Sequence, residues 1–282
     1  MEVKKKIEQL RRNSIVLKIA RKEKYKLYGT RFGGKPDVPS DFVWPYFEGK
    51  NWENIVENRP LTFLAQFNCE ELAQYDTEHL LPDHGILSFF YEMDTERWGY
   101  DPTDKGCARV FWFEDTSVLS PAEFPTDMED DYKFPMIKIK MTQKTSYPSK
   151  TDFNSIFPAE DDGNDFDVAW EKVTGIKLED MQDGCQLLGW PDVIQGNMFV
   201  ECELVSKGYY LGDGWSNIPK DIRQQAREIA HDKWQLLLQL DTIECGNFYL
   251  MFGDCGHIYF YITKEDLEAR HFERAWLILQ CC

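Results

Sequence analysis

Glutamine fits poorly inside an apolar run, yet the chain places one there twice. Gln66 lies between Ala65 and Phe67 in LTFLAQFN, and Gln239 between Leu238 and Leu240 in LLLQLD. A buried amide left unpaired costs on the order of 1–3 kcal/mol, so each must bond either the chain or a ligand. Each is preceded by Pro-Asp-Val, with Asp37 in GKPDV and Asp192 in GWPDV. Each is followed by an Asp-x-Gly step into an aromatic run, Asp83-His84-Gly85 and Asp254-Cys255-Gly256, the latter continuing into His257. A carboxylate beside an imidazole could serve general acid–base chemistry. Amides, carboxylates and aromatic rings together could line a groove for a peptide or small molecule. Trp44 before Pro45, Trp190 before Pro191, and the shared face of His257, Tyr259 and Tyr261 in HIYFYIT would supply the rings. The candidate lining of a cleft is therefore Asp37, Trp44, Gln66, Asp83, His84, Trp190, Asp192, Gln239, Asp254, His257 and Tyr259. The same residues also suit plainer roles, since Pro-Asp and Asp-x-Gly steps make sharp turns and rings pack against one another.

No catalytic residue can be named. The chain has no G-x-S-x-G, P-loop, G-x-G-x-x-G or H-E-x-x-H motif. His and Cys never fall at structural-zinc spacing. EDDGNDFD (160–167) resembles a calcium loop, but placing Gly163 sixth puts Pro158 first and Ala169 twelfth, so the ligand pattern fails. Neither metal nor cofactor is expected. The adjacent thiols Cys281 and Cys282 have Cα atoms about 3.8 Å apart, too close for an ordinary disulfide.

The elements that would position these residues alternate at period two. LTFLAQFN (61–68), GILSFFYE (85–92), ARVFWFE (108–114), FPMIKIKM (134–141), WQLLLQLD (234–241), NFYLMF (247–252), HIYFYIT (257–263) and AWLILQ (275–280) predict strands, as does the β-branched SIVLKIA (14–20). Val3, Ile7 and Leu10 predict a short helix over 2–12, and CEELAQY (69–75) adds a helical turn or two. Further helices are predicted over 166–175 and over 218–234, the latter with Pro219 near its start. Thr263 and Asp266 make a capping box that starts the short helix KEDLEARHF. Gly33, Gly34, Pro36, Pro39 and Pro45 force an extended, turning path. Seven acids without a Lys or Arg in 114–131, and the polar stretch 146–167, predict surface loops, the second a joint between halves.

The recurring landmarks come in one order, with offsets of 155, 173 and 171 residues for Pro-Asp-Val, the glutamine strand and the Asp-x-Gly turn. That pattern predicts an internal duplication. The expected fold is α+β: two diverged repeats rich in antiparallel sheet, packed into one compact body with a basic N-terminal helix. The expected divisions are a basic helix and strand (1–29), a first half (30–145), an acidic, polar connector (146–180) and a second half (181–282).

Hydrophobic residues make up 43% and charged residues 29%, the balance of a folded globular chain. No run approaches the ~20 apolar residues of a membrane helix, so no membrane association is expected. Eight cysteines without a C-x-x-C pair suit reduced thiols in a cytoplasm. Residues 1–35 hold twelve Lys or Arg and three Asp or Glu, a charge of +9, which leaves −26 on the rest of the −17 chain. So acidic a body would repel nucleic acid and attract a basic protein partner.

RFGGKPDVP with WP shortly after (31–45), LTFLAQFNCEEL, LPDHGILSFFY, LLGWPDVIQ, WQLLLQLDT and FGDCGHIYFYI together resemble the YwqG-like bacterial proteins, a domain of unknown function, over nearly the whole chain after residue 30. The resemblance implies no reaction. Through relatives associated with secreted-toxin systems it implies an antidote role, which an acidic body would suit. Two functions are expected in competition: a cytoplasmic interaction module that neutralises a basic partner, and an enzyme or small-ligand receptor using a cleft between the halves.

Overall fold

Period-two alternation underlies much of an antiparallel sheet of ten strands, which three two-stranded ribbons accompany. The computed structural model describes residues 2–22, 26–158, 165–180 and 184–282. The strands are β1 (Arg12–Lys22), β2 (Arg31–Phe32), β3 (Thr62–Asn68), β4 (Ile86–Tyr91), β5 (Ala108–Phe113), β6 (Ile137–Ser146), β7 (Cys185–Leu187), β8 (Trp234–Leu240), β9 (His257–Thr263) and β10 (Trp276–Gln280). Their order across the sheet is β10-β9-β8-β7-β1-β6-β2-β3-β4-β5. The N-terminal strand thus lies near the middle, pairing with β6 from Arg12 opposite Ser146 to Lys22 opposite Ile137, and with β7 through Ile15 opposite Leu187. The outer wings share a detail. Each glutamine strand carries a register irregularity two residues before its glutamine, at Leu64 in β3 and Leu237 in β8.

The sheet cannot be flat. β4 and β9 stand seven places apart, roughly 33 Å at the usual ~4.8 Å strand spacing, yet the rings of Phe89 and Phe260 meet at 5.2 Å. The sheet curls until the same face of both wings closes on one core, in which Ile15, Leu17, Phe67, Leu87, Leu238 and Phe260 are buried. The free edge of β10 is covered from the other wing: Leu279 N donates to Trp98 O (2.9 Å) and Trp276 Nε1 to Gly99 O (2.9 Å). On the opposite edge Trp112 of β5 packs on Phe272. Covering edges in this way leaves few unpaired backbone groups to recruit another chain.

Seven helices among the described residues fill the outside: α1 (Glu2–Gln9), α2 (Cys69–Leu72), α3 (Lys150–Ile156), α4 (Asp165–Thr174), α5 (Met198–Ser206), α6 (Lys220–Lys233) and α7 (Lys264–Glu268). The stripe of Val3, Ile7 and Leu10 docks on Phe153, Phe166 and Trp170, so α1 closes a small cluster with α3 and α4. Helices α5 and α6 cover the second face of β8–β10 over Phe199, Leu204, Tyr259, Tyr261 and Ile278. Thr263 caps α7 as expected, its hydroxyl accepting from Asp266 N (3.0 Å).

Several boundaries differ from those expected of the sequence, for identifiable reasons. Strand β6 starts at Ile137 and runs to Ser146, through a polar stretch, 142–145, that is exposed on both faces. Within 114–131, Leu119–Pro121 pairs with Asp37–Pro39, so that acidic segment is tied down instead of being loop throughout. The polar stretch after 146 contains α3. It follows β6, a strand in the middle of the sheet. Residues 159–164, which carry part of the calcium-like stretch, lie outside the described residues. Helix α5 has no readable stripe because every residue from Met198 to Val205 is buried.

Candidate functional site

Both glutamines bond their own Pro-Asp turns. Gln66 Oε1 accepts from Asp37 N (3.0 Å), and its Nε2 donates to Asp37 Oδ2 (2.7 Å) and Gly29 O (3.1 Å). Gln239 does the same with Asp192 N (2.9 Å), Asp192 Oδ2 (2.6 Å) and Gly184 O (2.7 Å). At the neighbouring ladder position the two sites diverge, with Arg31 opposite Gln66 and Gln186 opposite Gln239. Arg31 Nη1 adds a buried ion pair to Asp37 at 3.0 Å. Gln186 instead donates to Trp190 O (2.5 Å) and accepts from Ser14 Oγ (2.8 Å). An amide whose donors and acceptor are bound to turn backbone and carboxylate acts as a lock between strand and turn.

The expected cleft residues fall into separate places. Asp192, Gln239 and Tyr259 come together, with Tyr259 OH donating to Asp192 O (2.5 Å). His257 lies beside them, its ring stacked on Tyr259 at 5.8 Å and its Nε2 3.5 Å from Asp241. Asp37 and Gln66 form their own cluster five places away across the sheet. Asp83 and His84 sit on an exposed turn, Nδ1 to Oδ1 2.7 Å, where the imidazole is shifted up and the carboxylate down by their mutual hydrogen bond. Asp254 is exposed on the other turn. Trp44 Nε1 donates to Leu61 O (2.8 Å) and the ring packs edge-on to Phe90. Trp190 is buried, with Nε1 donating to Leu10 O (2.6 Å).

A cleft between the wings does exist, built from other residues. The segment after β4 (95–104) and the segment around α5 (195–215) enclose about 720 Å³. The two walls are stitched by Leu211 N donating to Tyr100 O (2.9 Å). Four carboxylates line the space, Glu96, Asp101, Asp104 and Glu201. So do five rings, Trp52, Trp98, Tyr100, Tyr210 and Trp215. Among the described residues Arg97 is the only Lys or Arg in the lining, and its guanidinium is engaged elsewhere, bonded to Lys50 O and lying over the Phe47 ring at 5.6 Å.

Each acid is held in place. Glu201 sits on α5, which starts where Asn197 Oδ1 caps Val200 N (3.1 Å). Gln280, at the end of β10, ties the wall to the sheet: Oε1 accepts from Gln195 N (3.0 Å) and Nε2 donates to Gly196 O (3.1 Å) and Glu201 Oε2 (3.4 Å). Burial pushes the Glu201 carboxyl up to about 7. Glu96, in a left-handed backbone conformation (φ 47°), accepts from Gly253 N (3.2 Å) across the wings, and Asp104 accepts from Gly99 N (3.0 Å). Burial raises both carboxyls, and raises the Tyr100 phenol as well. Asp101 caps the turn after it by accepting from Thr103 N (2.8 Å). Carboxylates amid ring faces make a site for an ammonium or guanidinium group. The signal for this cleft was present in ERWGYD (96–101) and GYYLGDGW (208–215), where rings alternate with glycine and acid. It was missed because neither stretch belongs to the repeated landmarks.

Among the described residues, no group of three or more His, Cys, Asp or Glu side chains could hold a metal ion, and no helix is long and apolar enough to cross a membrane. Comparison with curated proteins finds no match. A family model described as a domain of unknown function (DUF1963) matches residues 30–281, nearly the full length over which the sheet, both glutamine locks and the acidic cleft are built, and the chain belongs to that family.

Proposed function

We propose that the protein is a binding module whose inter-wing cleft receives the cationic side chains of a basic protein partner. The observation that carries this reading is the convergence of four carboxylates and five rings in one cleft with a single, already engaged arginine. The charge of −26 on residues 36–282 supports it by drawing a basic partner from a distance. The likeness to YwqG-like proteins and an antidote role are compatible with this chemistry. All eight cysteines are thiols, six of them buried, which suits a reducing compartment such as the cytoplasm.

We also infer that the chain arose by duplication. Support comes from the two glutamine locks, the matched irregularities at Leu64 and Leu237, and the matching left-handed glycines Gly34 (φ 74°) and Gly189 (φ 80°). In this reading β1–β5 correspond to β6–β10. The leading strands β1 and β6 are exchanged, each bonding the other unit's second strand. The expected division at 30–145 then holds β2–β5 together with nearly all of β6, the second unit's first strand, and that at 181–282 holds β7–β10.

The test is calorimetric titration with a short oligoarginine peptide, at low salt and at about 0.15 M salt. Saturable binding that weakens with salt, and that falls about tenfold or more in a Glu201→Gln, Trp98→Ala double variant, is expected. Equal affinity in the double variant, or no binding, overturns the reading. A second reading, acid–base catalysis in the same cleft, is favoured by the carboxyl of Glu201 lying near neutrality. It predicts that Glu201→Gln alone abolishes turnover of a bound substrate while leaving its binding intact.

A further inference from the structure

On the opposite side of Trp215 lies a second cavity of about 720 Å³, between α3 and α6. Its floor is Arg12, the first residue of β1, whose guanidinium lies 3.8 Å above the Trp190 ring and 5.4 Å from that of Phe199. For a cation so enclosed it is poorly satisfied. Its one hydrogen bond to a described residue runs from Nη2 to His231 O at 3.4 Å, and its buried Nη1 has no partner among the described residues. No described carboxylate lies within ion-pairing distance of Arg12. Asp152, the carboxylate that acts most strongly on Arg12 ahead of Glu78 and Asp232, is bonded to Asn197 Nδ2 (2.8 Å) and Ser149 Oγ (2.9 Å).

A second guanidinium, that of Arg227, lines the same cavity over the Trp215 ring at 5.8 Å and has no described carboxylate partner. The acids of the lining are Glu228, which accepts from Gln224 Nε2 (2.9 Å), and Asp232 on the exposed side of α6. The rest of the wall is mixed: Leu10, Ile156, Pro158 and Val200 with the two tryptophans make an apolar stretch, interrupted by Thr151, Asn154, Ser155, Asn197, Gln224 and His231. An under-bonded guanidinium favours a planar oxyanion that can accept two parallel N–H bonds, and the apolar stretch of the wall favours a short hydrocarbon.

We infer that this cavity is a binding site for a small amphipathic carboxylate, its head on Arg12 and its hydrocarbon along the Leu10, Ile156 and Val200 wall. Arg227 adds attraction at the mouth. The site is independent of the acidic cleft, with which it shares only the Trp215 partition.

The experiment titrates the full chain with octanoate, following tryptophan fluorescence and heat, with octanol, octylammonium and inorganic phosphate as comparators. Octanoate is expected to saturate at least about tenfold more tightly than the other three. Arg12→Gln should weaken it about tenfold or more, and Arg227→Gln, on the outside of α6, about threefold. Trp98→Ala, in the other cleft, should leave octanoate affinity unchanged. Octanol matching octanoate, tighter binding of octylammonium, or insensitivity to both arginine variants would overturn the carboxylate assignment. Phosphate binding as tightly as octanoate would overturn the apolar half of it, and absence of octanoate binding would overturn the whole. If Arg12→Gln does not fold, the Arg227→Gln response and the comparators still decide.

Discussion

At the scale of residues, the polar groups inside this protein divide into those that lock and those that wait for a partner. Gln66 belongs to the first kind. Replacing it by leucine strands Asp37 N–H, one bond to the Asp37 carboxylate and Gly29 O. The expected cost is about 2–4 kcal/mol, read as a lower urea midpoint at unchanged slope. Gln239→Leu should cost a similar amount, because its three bonds are the same in kind. A loss under about 0.5 kcal/mol at either site would mean that the turn rebonds without the amide.

Glu201 belongs to the second kind, and its burial has a pH consequence. Its carboxyl titrates at about 7 in the folded chain against 4.5 when unperturbed. Below the unfolded value both states are protonated and there is no penalty. As pH rises from about 4.5 to 7 the unfolded chain ionises first, so folding stability falls, and the loss is complete above 7. Glu201→Gln should therefore match the wild type at acid pH and exceed it at pH ~8 by up to about 3 kcal/mol, measured by denaturant titration across that range. Identical pH profiles would contradict this account.

At the scale of elements, the loop 98–100 shields a sheet edge. It covers the edge of β10 by pairing Trp98 O with Leu279 N, and Gly99 (φ 77°) lies so close to the strand that an added Cβ would collide with Leu277 O. Gly99→Ala should force that loop off the edge, destabilising the protein by more than about 2 kcal/mol. Amide exchange at Leu279 should accelerate and the wall of the acidic cleft should loosen with it. Unchanged protection of Leu279 would show that the edge does not need this cover. The segment 95–104 that contains this loop also carries Glu96, Asp101 and Asp104, so edge protection and site construction rest on one stretch of chain.

At the scale of the whole molecule, neither wing owns the middle of the sheet. Strand β1 bonds β6 on one side and β7 on the other, and Phe89 meets Phe260 across the closed core. Deleting residues 1–22 should therefore unfold the entire chain, and residues 181–282 expressed alone should show no cooperative transition by circular dichroism. A cooperative melt of that fragment would mean that the wings fold independently.

Local chemistry was legible wherever one face of an element differs from the other. Alternation, β-branching and short apolar runs revealed eight of the ten strands of the main sheet, missing only the very short β2 and β7, and the stripe of Val3, Ile7 and Leu10 revealed α1. The unease of Gln66 and Gln239 pointed to real hydrogen-bonded sites, in which each binds its Pro-Asp turn. Helix α5 was illegible because it is buried all round, and the polar half of β6 because residues 142–145 are exposed on both faces. Composition, charge, strand periodicity and the order of the repeated landmarks were properties of the sequence by itself, since each is read directly along the chain. The pairing of β1 with β6 and β7, the curl that joins Phe89 to Phe260, and the meeting of Glu96 and Glu201 in one cleft belong to the tertiary structure alone. Such contacts join residues far apart along the chain, and the free energy that selects them comes from burying both wings on one core.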